Sequence, residues 1–364
     1  MPEIRLTSKE IADELARLQE SWGAGMEALG GAEPVALGAT ARECLWQTGK
    51  ARLYRYLPPA ENSDADKAPL LLVYALVNRP DMVDLQPGRS LVADLLAQGF
   101  DVYLLDWGFP DPLDRTLGLE NYLLGYLDSA VDFLRDRLSK DALTLFGICQ
   151  GGTLSACYGA LYPGKVNRLV LTVTPIDFHT SDDMLSHLAR EIDFDALSDV
   201  CGNIDGRILN AAFLSLKPYR LLQQKYLRFL ESAADPAERE LFLRMEQWIF
   251  DSPALPARIS RQFARHCYQE NALVNDALSI GSHRVDLRQL SMPVLNIYAR
   301  DDHLVPPAAS RALVRFIPPE RYSEHEIPGG HIGIYVGSRA GVGVADVVAA
   351  WWRAQGKTSG GGLS

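Results

Sequence analysis

The sequence predicts an α/β architecture in which a mostly parallel sheet is flanked by helices and interrupted by an inserted helical cap. Three observations carry this. Short apolar runs of strand length alternate with helix-like stretches, the pattern of a parallel sheet covered on both faces. A glycine-rich turn, Gly147-Ile148-Cys149-Gln150-Gly151-Gly152, joins one such run to a helix of small residues. Between about residues 178 and 285 the strand-like runs stop, and helix formers and aromatics take over.

Taken in chain order, residues 3–29 place Ile11, Leu15, Leu18 and Trp22 at helical spacing, with Ser8 suited to cap the start, so a helical preface is expected. The polar stretch ENSDADKAP (61–69) ends in proline and feeds LLLVYALV, which puts the first expected strand near residue 70. Further buried strands are expected at DVYLLDW (101–107), ALTLFGI (142–148), RLVLTVT (168–174) and PVLNIYA (293–299). The segments AAFLSLKPYRLLQQKYLRFLESA and ERELFLRMEQWIFDSP mark the cap. The expected organisation is a preface and lead-in over 1–68, a first core part over 69–177, the cap over 178–285, a second core part over 286–355, and a glycine-rich flexible tail over 356–364.

Composition excludes several classes of function. With 364 residues, 47% of them hydrophobic, the chain is long enough to bury a large core. A formal net charge of −10 argues against general affinity for nucleic-acid backbones, which demand a basic face. The start, MPEIRLTSKEIADELARLQ, lacks an apolar run behind a basic end, so no signal peptide is expected. No apolar stretch approaches the roughly 18 residues of a membrane span, so no transmembrane segment is expected either. Five cysteines (Cys44, Cys149, Cys157, Cys201, Cys267) at irregular spacing suit a reducing cytosol, hence a cytoplasmic protein. Gly23-Ala24-Gly25 with Ala28 has no strand before it and is an accidental match to a dinucleotide fingerprint. Cysteines and histidines show no paired ligand spacing, so neither a metal nor a cofactor is expected.

The turn around Cys149 has the form of a nucleophile elbow, in which a strained residue between strand and helix presents its side chain and small neighbours let the two elements approach. That motif specifies the α/β-hydrolase fold, with cysteine in place of serine. A buried structural cysteine is the plain alternative. For Cys44, Cys157, Cys201 and Cys267 the plain reading prevails, since none has this context. In this fold the acid and the histidine follow the nucleophile on loops after later strands. Arg300-Asp301-Asp302-His303 follows PVLNIYA and offers Asp302 as the acid, with Asp301 as the fallback. IPGGHIGIY offers His331 as the base; His303 is the rival, better suited to support the site from beside Asp302. The oxyanion donors are expected to be the N–H of Gln150 and one from the turn after LLLVYALV, Val77 or its neighbour Leu76.

Several segments, FGICQGG, YALVNRPDMVDLQPGRS, GFDVYLLDWGFPD, FLSLKPY, RMEQWIFDSP, ARDDHLVPP and PGGHIGIYV, together resemble the catalytic subunit of class III polyhydroxyalkanoate synthases, from about residue 70 to 336. The resemblance implies a triad of Cys149, Asp302 and His331, in agreement with the chain order. It implies polymerisation of (R)-3-hydroxyacyl-CoA, typically 3-hydroxybutyryl-CoA, into a polyester at the surface of cytoplasmic granules, with coenzyme A released from the substrate. The long N-terminal domain of the single-subunit synthases has no counterpart ahead of the expected first strand, so a PhaE-type second subunit is expected, in a homo- or hetero-oligomer. Two other readings remain open here: a cysteine hydrolase of thioesters or polyester with the same triad, and a non-catalytic granule-surface protein.

Overall fold

A computed structural model describes residues 35–58, 68–217, 224–232, 235–337 and 342–358. The expected helical preface, most of the loop over 61–69 and the SGGGLS tail lie outside the described residues. Among the described residues, eight strands form one sheet: β1 (Arg42–Thr48), β2 (Ala51–Tyr56), β3 (Ala68–Val73), β4 (Phe100–Asp106), β5 (Leu143–Ile148), β6 (Val166–Thr172), β7 (Val294–Ala299) and β8 (Tyr322–Ile327). Their order is β1-β2-β4-β3-β5-β6-β7-β8. From β4 to β8 every pairing is parallel, whereas β1 with β2 and β2 with β4 are antiparallel.

The first strand therefore lies well before residue 70, which corrects the sequence expectation. Strand β1 is an edge strand whose residues are all exposed or half-buried, and β2 sets buried Ala51, Leu53 and Tyr56 among exposed or half-buried residues. Such strands lack the continuous apolar run of a strand buried on both faces, so they stand out less in the sequence. The central strands do carry it: all residues of β5 and β7 are buried.

Successive residues of a strand face opposite sides, and the core divides accordingly. Leu71, Val73, Leu145, Leu169 and Leu171 pack with helices α2 (Asp128–Leu138) and α3 (Gln150–Leu161) on one face. On the other, Leu70, Leu72, Phe146, Val170, Leu295 and Ile297 pack with α1 (Leu91–Ala97) and the C-terminal helix over Val344–Thr358. The parallel register brings the ends of the strands together: Val73 pairs Gly147, Ile148 pairs Thr172, and Thr172 pairs Ile297. Loops leaving those ends share one rim of the sheet, where ligands bind in open α/β sheets.

Between β6 and β7 the chain is largely helical, with α4 (Met184–Arg190), α5 (Phe194–Cys201), α6 (Gly206–Ser215), α7 (Lys225–Ser232), α8 (Pro236–Phe250) and α9 (Ala257–Phe263). Aspartates set most of these starts: Asp183, Asp193, Asp205 and Asp235 each accept a backbone N–H of the first turn, and Pro236 follows Asp235. A two-stranded ribbon, Ser279–Ile280 with His283–Arg284, precedes the return to the sheet. Among the described residues no helix is long and apolar enough to cross a membrane.

Candidate active site

Cys149 occupies the turn from β5 into α3 at φ 53, ψ −126, a conformation that costs a residue with a side chain of order 1–3 kcal/mol and survives where the surroundings over-determine it. The surroundings are visible. The Cys149 N–H donates to the carbonyl of Thr172 at 2.9 Å, and α3 starts against the end of β3. At Gly151 a Cβ would fall 2.2 Å from the Val73 carbonyl oxygen, and at Gly152 one would fall 1.9 Å from Thr174 Oγ1, so neither position accepts a side chain. The elbow glycines thus bring the helix N-terminus close under the thiol. Cys149 itself is half-buried, whereas Cys157 and Cys267 are buried and Cys44 and Cys201 are exposed. Burial pushes the Cys157 thiol up to about 12 and that of Cys267 well above its ordinary value, which keeps both protonated.

Asp302 and His331 meet at the same rim. His331 Nδ1 donates to Asp302 Oδ2 at 2.7 Å, with the aspartate side chain fully buried and the imidazole 7% exposed. The other carboxylate oxygen accepts the N–H groups of Leu304 at 2.9 Å and Val305 at 3.0 Å, which orients the carboxylate toward the imidazole. Asp301 is exposed, and its N–H donates to the Gly329 carbonyl at 2.9 Å, holding the two loops together. Of the neighbouring pair it is thus Asp302 that reaches His331. His303 is half-buried and lines the cavity beside them. Burial pulls the His331 pKa down, but the charges of Asp302 and Cys149 and hydrogen bonds to both together raise it well above the usual imidazole range. The raised basicity suits His331 to take up and hold a proton at the site.

The turn after β3 forms the opposite wall. The N–H of Leu76 donates to Gln150 Oε1 at 3.0 Å, so that amide is occupied by the first residue of α3. Val77 lines the cavity together with Cys149 and Gln150. The cavity measures about 510 Å³ and is bounded by core residues such as Tyr74 and His331 and by Phe213, Met245, Trp248 and Phe263 of the helical segment. Its walls are mainly apolar.

Sequence reasoning missed two features of this site. Asp183 is 2% exposed, lines the cavity while capping α4, and burial raises its pKa from 3.8 to about 6. Its capping role is legible in the sequence; its burial is not. Tyr335 and Thr172 share a buried hydrogen bond at 2.6 Å that ties the segment after His331 to the strand beside Cys149. No sequence signal pairs residues so far apart.

Residues 68–338 match the family model described as the alpha/beta hydrolase fold. Over 348 residues the chain is 45% identical to the poly(3-hydroxyalkanoate) polymerase subunit PhaC of Allochromatium vinosum, covering 96% of this chain and 98% of that protein. It is 44% identical over 351 residues to the PhaC subunit of Thiocystis violacea (96% of this chain, 99% of that protein). Against the PhaC subunit of a Synechocystis species the identity is 45% over 352 residues (94% and 93%).

Proposed function

The chain belongs to the PhaC family of poly(3-hydroxyalkanoate) polymerases, transferases of the alpha/beta hydrolase fold, and on that premise we propose how its own residues carry out the polymerisation. The observation that carries the reading is the Asp302–His331 hydrogen bond of 2.7 Å on the rim where the Cys149 elbow opens into an apolar cavity. A free thiol titrates near about 8.5 and is mostly protonated at neutral pH, so Cys149 needs a base. Asp302 holds the proton of His331 on Nδ1, which leaves Nε2 to take the thiol proton.

The thiolate of Cys149 attacks the thioester carbonyl of (R)-3-hydroxyacyl-CoA. The N–H groups of Gln150 and Val77 stabilise the oxyanion that forms. As it collapses, the carbon–sulfur bond to coenzyme A breaks, and His331 returns its proton to the departing thiolate. The acyl group is then a thioester of Cys149. Exchange of one thioester for another is nearly balanced in energy, so the acyl group stays activated. The 3-hydroxyl of a second acyl group attacks it, losing its proton to His331 or to Asp302; an ester bond forms as the carbon–sulfur bond to Cys149 breaks, and the proton returns to the Cys149 sulfur. An apolar cavity excludes the water that would otherwise compete.

The class III assignment belongs to this reading, with a PhaE-type second subunit, a homo- or hetero-oligomeric assembly, and a seat on the surface of cytoplasmic polyester granules. It is supported by the identity to the Allochromatium and Thiocystis subunits over nearly their whole lengths. The test is to incubate the purified chain with (R)-3-hydroxybutyryl-CoA, with and without a PhaE-type subunit, following coenzyme A release and turbidity together. Coenzyme A release with insoluble polymer is expected; release with free 3-hydroxybutyrate instead would make the chain a hydrolase.

A further inference from the structure

Val77 lies between two anchors. On one side the N–H of Leu76 is held by Gln150 at the start of α3, within the core. On the other, Asn78 adopts φ 60, a left-handed conformation that asparagine tolerates better than most residues, and its Oδ1 accepts a hydrogen bond from Ser252 Oγ at 2.5 Å. Ser252 follows the end of α8, in the helical segment that forms the cavity's outer wall.

The next residue strengthens the same junction. Arg79 pairs with Asp251 Oδ2 at 2.6 Å, and its carbonyl accepts the indole N–H of Trp248 at 2.7 Å. Its guanidinium also pairs at 3.0 Å with Asp81 of the core, which is 5% exposed, and lies over the Phe109 ring at 5.2 Å. Arg79 is thus fixed to the core on one side and grips the helical segment on the other. The segment forms one wall of the cavity, so widening access for substrate and polymer calls for it to lift. When it lifts, the Ser252 and Asp251 contacts break, and the αL turn at Asn78 loses one of the contacts that hold it.

We infer that Arg79, Asp251 and Ser252 form a latch through which seating of the helical segment over the cavity positions the Val77 amide, so that the oxyanion is fully stabilised only when the site is closed. The chemistry is then confined to the state that excludes water. All three are positioning residues. The inference rests on the proposed roles of Cys149 and Val77.

The test uses the full chain with Asp251→Asn and Ser252→Ala, and Arg79→Lys as the conservative counterpart. Steady-state coenzyme A release is measured alongside the rate at which iodoacetamide alkylates Cys149, read by peptide mass. Loss of a donor's alignment acts on the transition state, so kcat is expected to fall about tenfold in Asp251→Asn and Ser252→Ala with KM changed by less than about threefold. Alkylation of Cys149 should rise by about threefold or more as the open state gains population. Arg79→Lys keeps the charge and should retain much of the activity. Rates of release and alkylation both within about twofold of the parent in the two cap variants would overturn the latch. A fall in kcat with no rise in alkylation would also overturn it, showing a local defect only. The underlying reading fails separately: if full alkylation of Cys149 leaves coenzyme A release of the parent chain intact, Cys149 is not the nucleophile.

Discussion

At the scale of single residues, the site is a set of groups whose protonation is decided by neighbours. Cys149 differs from Cys157 in placement alone: one is half-buried at the elbow, the other buried inside α3 with its thiol held protonated. Cys149→Ala is therefore expected to abolish turnover and acyl-enzyme formation, while Cys157→Ala changes activity by less than about tenfold. His331→Gln should lower turnover roughly a hundredfold to ten-thousandfold, the range for loss of a general base, and His303→Gln much less. Asp302→Asn should fold and turn over slowly, because the amide no longer stabilises an imidazolium. Initial rates of coenzyme A release on folded variants check the series, and a reversed ranking of His331 and His303 would exchange their roles.

Asp183 gives a prediction about pH. Its folded pKa, about 6, lies above the ordinary value of 3.8 because burial penalises the carboxylate. The folded chain therefore binds this proton more tightly than the unfolded chain. Its contribution to stability is complete below the unfolded value and is lost as pH rises through about 6. Asp183→Asn keeps an oxygen to accept the Ser186 N–H, now at 2.9 Å, and removes the titration. The gain in urea midpoint of the variant over the parent should be larger at pH 7.5 than at pH 5. An equal gain at both would mean that the carboxylate is not held protonated by the fold.

At the scale of elements, the elbow works because a strand, a turn and a helix are pressed closer than side chains permit. Gly151 faces the backbone of Val73 and Tyr74, which cannot move aside as the tip of a flexible side chain can. Gly151→Ala is expected to destabilise the chain by at least the roughly 1–3 kcal/mol typical of overpacking, read as a lower urea midpoint at unchanged slope. A midpoint equal to that of the parent would show that α3 can back away from β3 at little cost. The helical segment relies on a different device, its aspartate caps, which hold only local backbone and so are readable from adjacent residues.

At the scale of the whole molecule, the reaction needs a cavity that is dry during chemistry and open between steps. The walls of the cavity come from both the sheet rim and the helical segment, so their separation governs access. If the competent arrangement is a minor one, apparent activity falls by its fraction, and a partner that binds that arrangement restores it. The isolated chain is thus expected to work weakly and with a lag, and a PhaE-type subunit to raise its initial rate at least about tenfold, for about 1.4 kcal/mol of differential binding. Titrating the partner against initial coenzyme A release measures this. Full activity without a lag in the partner's absence would show that the chain works alone.

By itself the sequence determined the features that depend on a few consecutive residues. The buried central strands announce themselves as apolar runs, and the elbow as a run of glycines around Cys149. Chain order then suffices to select His331 and the Asp301-Asp302 pair, because in a parallel sheet every strand ends on the same rim. The tertiary structure decided what depends on distant contacts. It separated Asp302 from Asp301 through the bond to His331, since adjacent residues leave a strand end in different directions. It occupied the Leu76 amide with Gln150, and it set Asp183 in a buried wall. It also added the edge hairpin β1–β2, whose partly exposed residues carry less apolar signal than a buried strand. The junction of Asn78 and Arg79 with Asp251 and Ser252 spans more than 170 positions of sequence, and hydrogen bonds between side chains that far apart leave no periodicity in either segment.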